Sequence, residues 1–349
     1  MVTSKQVARV AGVSRTTVSR VLNGSPRISP EMRQRVHEAM ATLGYEPDVV
    51  AQSLVRQRSR VIALGIFPQE PGLSLSELGQ TRHYFYLDLL KHIEQSTASA
   101  YYDLLMPSRP QNASPEHYIR SLQTRRVAGS IMLGIGSDDS RTQALIQADI
   151  PTVFIDSMSQ GKRATYVKSD NVDGARQVTE HLLSLGHRRI AFVLGQTMDL
   201  PGMERLFGAQ QALARAGLAM DPTLVRASGW DTDDAYEATC TLLSERRDFT
   251  ALVAGSDLMA IGVLRALYER GLRVPDDISV TGFDDVDLCR YTYPPLTTVR
   301  QERVAMGQGA VQRLLSMIED SKDESAVEPS PLIVPTRLIV RHSTGPVAN

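Results

Sequence analysis

From residue 61 onward, short apolar runs rich in β-branched residues alternate with amphipathic helical stretches, and that alternation restricts the body of the chain to a parallel α/β architecture. The runs are VIALGIF from Val61, YDLLM from Tyr102, GSIMLG from Gly129, TVFID from Thr152, IAFVLG from Ile190, ALVAGS from Ala251 and SVTGFDD from Ser279. Between them, Ala175, Val178, Leu182 and Leu185 form a helical stripe closed by Gly186, and Ala260, Val263, Leu264 and Leu267 a second closed by Gly271. Strands counted to about Asp156, and again from about Val167, predict two similar lobes. Each is a doubly wound sheet whose strand C-termini face a shared cleft. Gly134-Ile-Gly136 does not make a dinucleotide fingerprint, because Asp139 stands where the third glycine belongs.

Composition narrows the functional classes. At 349 residues, 42 % hydrophobic and 22 % charged, the chain reads as an ordinary globular protein of more than one domain. No run approaches the roughly 18 apolar residues of a membrane span. The opening residues are polar and basic without an apolar export core, so the expectation is a cytoplasmic protein. Cys240 and Cys289 have no neighbour at metal-ligand spacing, and neither a disulfide scaffold, a metal nor any cofactor is expected. The formal net charge of -1 conceals an asymmetry: residues 1–60 carry ten basic against four acidic side chains, leaving 28 against 35 in the rest. A basic head on an acidic body attracts a polyanion at one end only.

The head has a pattern to match. Thr3 and Gln6 have capping-box form, Val7, Val10 and Ala11 share a helical face, and Gly12 interrupts. Ser14 can cap a second helix, Arg15 to Leu22, whose inner face is Val18, Val21 and Leu22. Its outer face carries Arg15, Thr16, Ser19 and Arg20. Arginine can bond the guanine edge bidentately, threonine can bond a base or touch a thymine methyl, and the Thr17 and Ser19 hydroxyls suit phosphate oxygens. A third helix follows, with Ser29 as cap, Pro30 first, Met32, Val36, Met40 and Leu43 inward, and Gly44 at its end. Two helices across a glycine turn, braced by a third, make a helix-turn-helix.

VARVAGVSRTTVSRVLNGSPRIS (residues 7–29), followed by LGYEPDVVAQSL (residues 43–54), strongly resembles the head of the lactose-repressor (LacI-type) family of bacterial transcription regulators. The resemblance implies that Arg15 and Thr16 choose operator bases, that Arg20 also reads bases, and that Thr17, Ser19 and Asn23 face the DNA backbone or brace the helix. It further implies an N-terminal DNA-binding domain over residues 1–46 and a hinge over 47–59. Two copies of the hinge would enter the minor groove, with Leu54 as an apolar wedge and Ala51 permitting close approach. Asp48 replaces the asparagine associated with its position, which puts one phosphate-side contact in doubt.

Residues 60–349 would then be a two-lobed, periplasmic-binding-protein-like body for effector binding and dimerisation. Asp156, Arg205, Asp257, Asp284 and Asp285 all follow strand ends, so carboxylates and a guanidinium are expected to converge on the cleft, with Trp230, the only tryptophan, as a candidate stacking surface. By resemblance, Asp156, Arg205, Trp230, Ser256 and Asp284 match effector contacts. Phe85 and Tyr86 stand where the family often carries Asn-Pro-Phe-Phe. Ser256 departs from the usual asparagine. The loop 68–82 is longer than its family counterpart and has no assigned role. The segment 293–301 should return to the first lobe ahead of a helix through Val304, Val311, Leu314 and Ile318. No leucine-heptad extension follows, so a homodimer is expected.

The function implied is a sequence-specific DNA-binding regulator, a repressor by preference, that binds a pseudo-palindromic operator under control of a small-molecule effector, a sugar by family. Two other readings stay open at this stage: a binding module without a DNA role, and an enzyme on the same scaffold. No histidine sits in a nucleophile or metal motif; His181 and His187 flank a helix end, where a dipole contact is expected.

Overall fold

A computed structural model describes residues 2–22, 28–45, 59–66, 84–107, 114–195, 199–320 and 329–347. Its first three helices are α1 (Ser4–Ala11), α2 (Arg15–Leu22) and α3 (Pro30–Leu43). Their starts are local chemistry. The Gln6 side chain accepts from the Thr3 amide at 2.8 Å, Ser14 Oγ accepts from the Thr17 amide at 3.0 Å, and Ser29 Oγ from the Met32 amide at 3.3 Å. Val7, Ala8, Ala11, Val18, Val21, Val36 and Ala39 close a small core. Gly12 turns the chain at φ +65, and a Cβ there would lie 2.6 Å from the Arg35 guanidinium, which donates to the Ala11 carbonyl.

The body is two parallel sheets. In the first lobe, β1 (Val61–Ile66), β2 (Asp103–Leu105), β3 (Gly129–Leu133), β4 (Thr152–Ile155) and β5 (Ala164–Ser169) are joined by the late strand β11 (Leu332–Val334), in the order β11-β5-β4-β3-β1-β2. In the second, β6 (Ile190–Leu194), β7 (Val225–Ala227), β8 (Ala251–Ala254) and β9 (Ser279–Thr281) lie in the order β7-β6-β8-β9. Helices cover both faces of each sheet. α4 (Tyr84–Ser99) and α11 (Arg303–Glu319) cover one face of the first sheet, around Ile62, Leu64, Ile93, Met306 and Leu314; α5 (Pro115–Thr124) and α6 (Ser140–Gln147) cover the other, around Leu122, Phe154 and Leu145. In the second lobe α7 (Asn171–Ser184) and α8 (Leu200–Arg215) face α9 (Thr232–Glu245) and α10 (Asp257–Glu269) across the sheet. The seven apolar runs all form strands, and the three expected body helices form with Gly186 and Gly271 at positive φ beyond the first two.

One expectation is corrected. The run at Val167 does not begin the second lobe: β5 pairs with β4 through Thr152↔Ala164 to Ile155↔Val167 and belongs to the first sheet. The chain changes lobe only afterwards, at Asp170, and crosses twice more, between β10 (Thr298–Gln301) and α11 and between β11 and β12 (Thr336–Ile339). β10 and β12 pair antiparallel as a ribbon on the second lobe, where Val299 and Leu338 join its core.

Candidate functional site

On α2, Val18 and Val21 are buried while Arg15, Thr16, Ser19 and Arg20 are exposed together. Arg15 Nε donates to Ser4 Oγ at 3.2 Å. Thr17 is half-buried, with its hydroxyl 2.9 Å from that of Ser14, which favours a bracing role over a phosphate contact. Asn23, Ala51 and Leu54 lie outside the described residues.

Between the lobes lies a cavity of about 320 Å³, toward the small end of the roughly 300–1,000 Å³ usual for small-molecule sites. Phe85, Tyr86, Asp156, Arg205, Trp230, Ser256 and Asp284 all line it. Phe85 and Tyr86 come from the first turn of α4, their rings edge to face at 5.3 Å. Asp156 follows β4 and Asp284 follows β9, both at positive φ, 59° and 129°. That conformation is uncommon for a residue with a Cβ, and here it swings each carboxylate off its strand end into the cleft.

Tyr86 Oη donates to Asp156 Oδ2 at 3.2 Å, while Asp156 Oδ1 is buried with no partner among the described residues. Burial pushes Asp156 up to about 6 although Arg205 and Tyr86 oppose the shift. The Tyr86 phenol is held well above its ordinary range by burial and then by Asp156. Asp284 Oδ1 accepts from Gln301 Nε2 at 2.6 Å, and burial pushes this carboxyl up to about 7 against the pull of Arg205.

Arg205 is anchored rather than free. Its Nε donates to Asn171 Oδ1 at 3.0 Å and its Nη1 to the Gly255 carbonyl at 2.5 Å, and the guanidinium lies 3.8 Å from the Phe283 ring centre and 5.3 Å from that of Trp230. Behind it, Lys168 of the first lobe is ion-paired with Glu204 of the second, and Asn171 Nδ2 donates to Glu204 at 3.0 Å. Trp230 is positioned by two features that sequence reasoning missed. Its Nε1 donates to Asp199, and its ring lies so close to Gly195 that a Cβ there would fall 2.0 Å from the indole. Asp199 also caps α8, accepting from the Gly202 amide at 2.8 Å, and burial raises its carboxyl. The Asp199-Leu-Pro signature of a helix start was readable; that the same carboxylate catches an indole 31 residues away was not.

Ser256 reaches the cavity wall but caps α10, its Oγ accepting from the Met259 amide at 3.2 Å. Two of the strand-end carboxylates do not converge on the cleft. Asp257 is fully buried and bonded to Thr298 Oγ1 at 2.5 Å and the Val286 amide at 2.9 Å. Asp285 turns to Arg300 and Arg341, which hold its carboxyl low although burial works against them. Of these three aspartates only Asp284 lines the cavity. The two histidines also differ from expectation. His187 Nδ1 meets Thr250 at 2.8 Å, its Nε2 meets Ser279 and the Gly345 carbonyl, each at 3.1 Å, and His181 meets Thr344 at 3.0 Å. Burial lowers both pKa values, so they tie down the C-terminal segment as neutral rings instead of meeting a helix dipole as cations. Among the described residues no group of three or more His, Cys, Asp or Glu side chains could hold a metal, and no helix is long and apolar enough to cross a membrane.

Comparison with known proteins identifies the family. Residues 3–48 match the model of bacterial regulatory proteins of the lacI family, and residues 179–344 match a periplasmic binding protein-like domain. The chain is 33% identical over 344 residues, 98% of each chain, to the HTH-type transcriptional regulator CelR of Thermobifida fusca. It is 31% identical to the ribose operon repressor of Haemophilus influenzae, over 93% of this chain and 94% of that one. Among solved structures, the lac repressor dimer bound to operator and the anti-inducer ONPF superposes with a TM-score of 0.79 at 30% identity, covering 99% of both chains. A CelR–cellobiose complex superposes with a TM-score of 0.73 at 32% identity, covering 98% of this chain and 100% of that one. A head that presents a guanidinium and hydroxyl face, joined to a two-lobed cavity and matched along almost its whole length by these regulators, places the chain in the lacI family of bacterial regulatory proteins, as a DNA-binding transcription regulator.

Proposed function

We propose that the protein is a homodimeric, cytoplasmic repressor without enzymatic activity. Residues 1–46 read the operator, residues 47–59 form the hinge, and residues 60–349 sense a sugar or sugar derivative. The observation that carries the sensor reading is the convergence of seven side chains, from Phe85 to Asp284, on one interlobe cavity. Carboxylates and a fixed guanidinium suit vicinal hydroxyls, and the Trp230 and Phe85 rings suit the C–H faces of a pyranose. Arg15, Thr16 and Arg20 read bases in the major groove, and the two-fold of the dimer calls for a pseudo-palindromic operator. Asn23, Ala51 and Leu54 keep the DNA-side roles implied by the family resemblance. The cellobiose bound by CelR and the operator bound by the lac repressor dimer support this division of labour.

Control follows from linkage. A ligand that binds one lobe arrangement better than the other shifts the hinge equilibrium by its differential affinity, typically about 1–3 kcal/mol. The test is a titration of the full-length protein onto its own promoter DNA at fixed salt, with and without a panel of sugars. A sugar that releases DNA establishes an inducible repressor; specific DNA binding unmoved by every sugar would remove the sensor half of the reading.

A further inference from the structure

The charge inside the cavity narrows the ligand beyond the word sugar, on the premise that this cavity is the effector site. Four carboxylates line it, those of Asp138, Asp156, Asp199 and Asp284, against one guanidinium, that of Arg205, among the described residues. Arg205 is already engaged by Asn171 and the Gly255 carbonyl. The neighbouring cations are committed elsewhere: Lys168 to Glu204, and Arg303 to Asp88 at 2.6 Å and to the Asp284 and Asp285 carbonyls. Two residues of the lining, Asp156 and Gln301, add to this acceptor excess, each also holding a buried oxygen, Oδ1 and Oε1, without a partner among the described residues. A ligand hydroxyl can donate to the carboxylates of the lining and still accept from the remaining N–H groups of Arg205; a carboxylate or phosphate group brings acceptors only. An anionic group would therefore be set among four carboxylates with one guanidinium, already engaged, to oppose them, and like charges repel.

We propose that the cavity accepts an uncharged polyhydroxyl compound and rejects sugar acids and sugar phosphates. Rejection follows from the excess of carboxylates over cations in the lining, so it holds whichever sugar stereochemistry the walls prefer. The aromatic side chains select shape; the carboxylates select charge.

Matched sets test this on the full-length protein: glucose, glucuronate and glucose 6-phosphate, their galactose and mannose counterparts, and cellobiose with cellobionate, read by thermal shift and by release of promoter DNA. The expected result is a neutral member that binds, with its anionic counterparts at least tenfold weaker. An acid or phosphate that binds as tightly as its neutral parent, or more tightly, overturns the inference while leaving the cavity an effector site. No response in any set overturns the effector reading itself, and the inference with it. In Asp199→Asn, which removes one charge and keeps a capping oxygen, the gap between neutral and anionic members of a binding set should narrow severalfold; an unchanged gap overturns the electrostatic argument.

Discussion

The reading helix and the cavity solve opposite problems. On α2 the side chains proposed to act, Arg15 to Arg20, span less than two helical turns and stand in solvent on a face defined by Val18 and Val21 behind them. In the cavity the seven side chains come from residues 85 to 284, on both lobes, and Asp156, Arg205, Ser256 and Asp284 are buried. An exposed face needs little more than one correctly packed helix, because a nucleic acid supplies the partners. A buried site needs every polar atom placed by something else. Asn171, Asp199, Gln301 and Gly195 have that task here, and each lies at a strand end, a helix start or a lobe crossing.

This contrast can be broken first at Arg20. Arg20→Ala should reduce operator affinity roughly ten- to a hundredfold, the equivalent of about 1–3 kcal/mol for one good base contact, while the thermal shift produced by a cavity ligand stays as it was. An electrophoretic or anisotropy titration that finds operator affinity unchanged would remove α2 as the reading element. Next comes Gly195→Ala, a single methyl group far from any ligand-bonding role. With a Cβ placed 2.0 Å from the indole, Trp230 must leave its seat, and ligand affinity should fall by about tenfold, or roughly 1.4 kcal/mol, with DNA reading intact in the absence of ligand. Calorimetry showing wild-type affinity would mean that the indole position does not matter to the site.

The smallest expected effect is on pH. Asp156 faces Tyr86, Arg205, Glu204 and Asp199, and Asp284 faces Arg205, Asp257, Gln301 and Arg303; burial raises the two carboxyls to about 6 and about 7. A ligand that donates hydroxyl hydrogens favours the ionised forms and lowers both values on binding. Affinity is therefore highest above pH 7 and falls severalfold as pH drops through about 7 and then about 6. The raised carboxyl of Asp199 contributes in the same direction. A flat affinity profile between pH 5 and 8 would mean that neither carboxylate bonds the ligand. The head supplies the control, since no histidine lies on α1 or α2.

Much of this architecture was legible in residue order. The caps at Thr3, Ser14 and Ser29 and the closing glycines Gly12 and Gly44 mark the head helices, and seven apolar runs mark the strands. The strands that escaped notice, β7, β10, β11 and β12, are three or four residues long; Arg226, Arg300 and Arg337 interrupt the apolar character of β7, β10 and β12, and β11 is only the three residues Leu332–Val334. Asp257, Asp284 and Asp285 look alike in sequence, all carboxylates just past a strand. Only the third dimension separates Asp284 in the cavity from Asp257 and Asp285 in internal bonds.

What the sequence determined by itself is whatever depends on neighbours within about one helical turn or one strand: periodicity, capping, the outward face of α2 and the order of elements. The tertiary structure alone decided that β5 stays with the first sheet, that β11 returns to it from residue 332, and that Asp199, Gln301 and Gly195 meet the side chains they position. The physical reason is range. Hydrogen bonds along a helix turn link residues three or four apart, whereas a cleft closed by three lobe crossings joins groups that only the packed fold brings within 3 Å of one another.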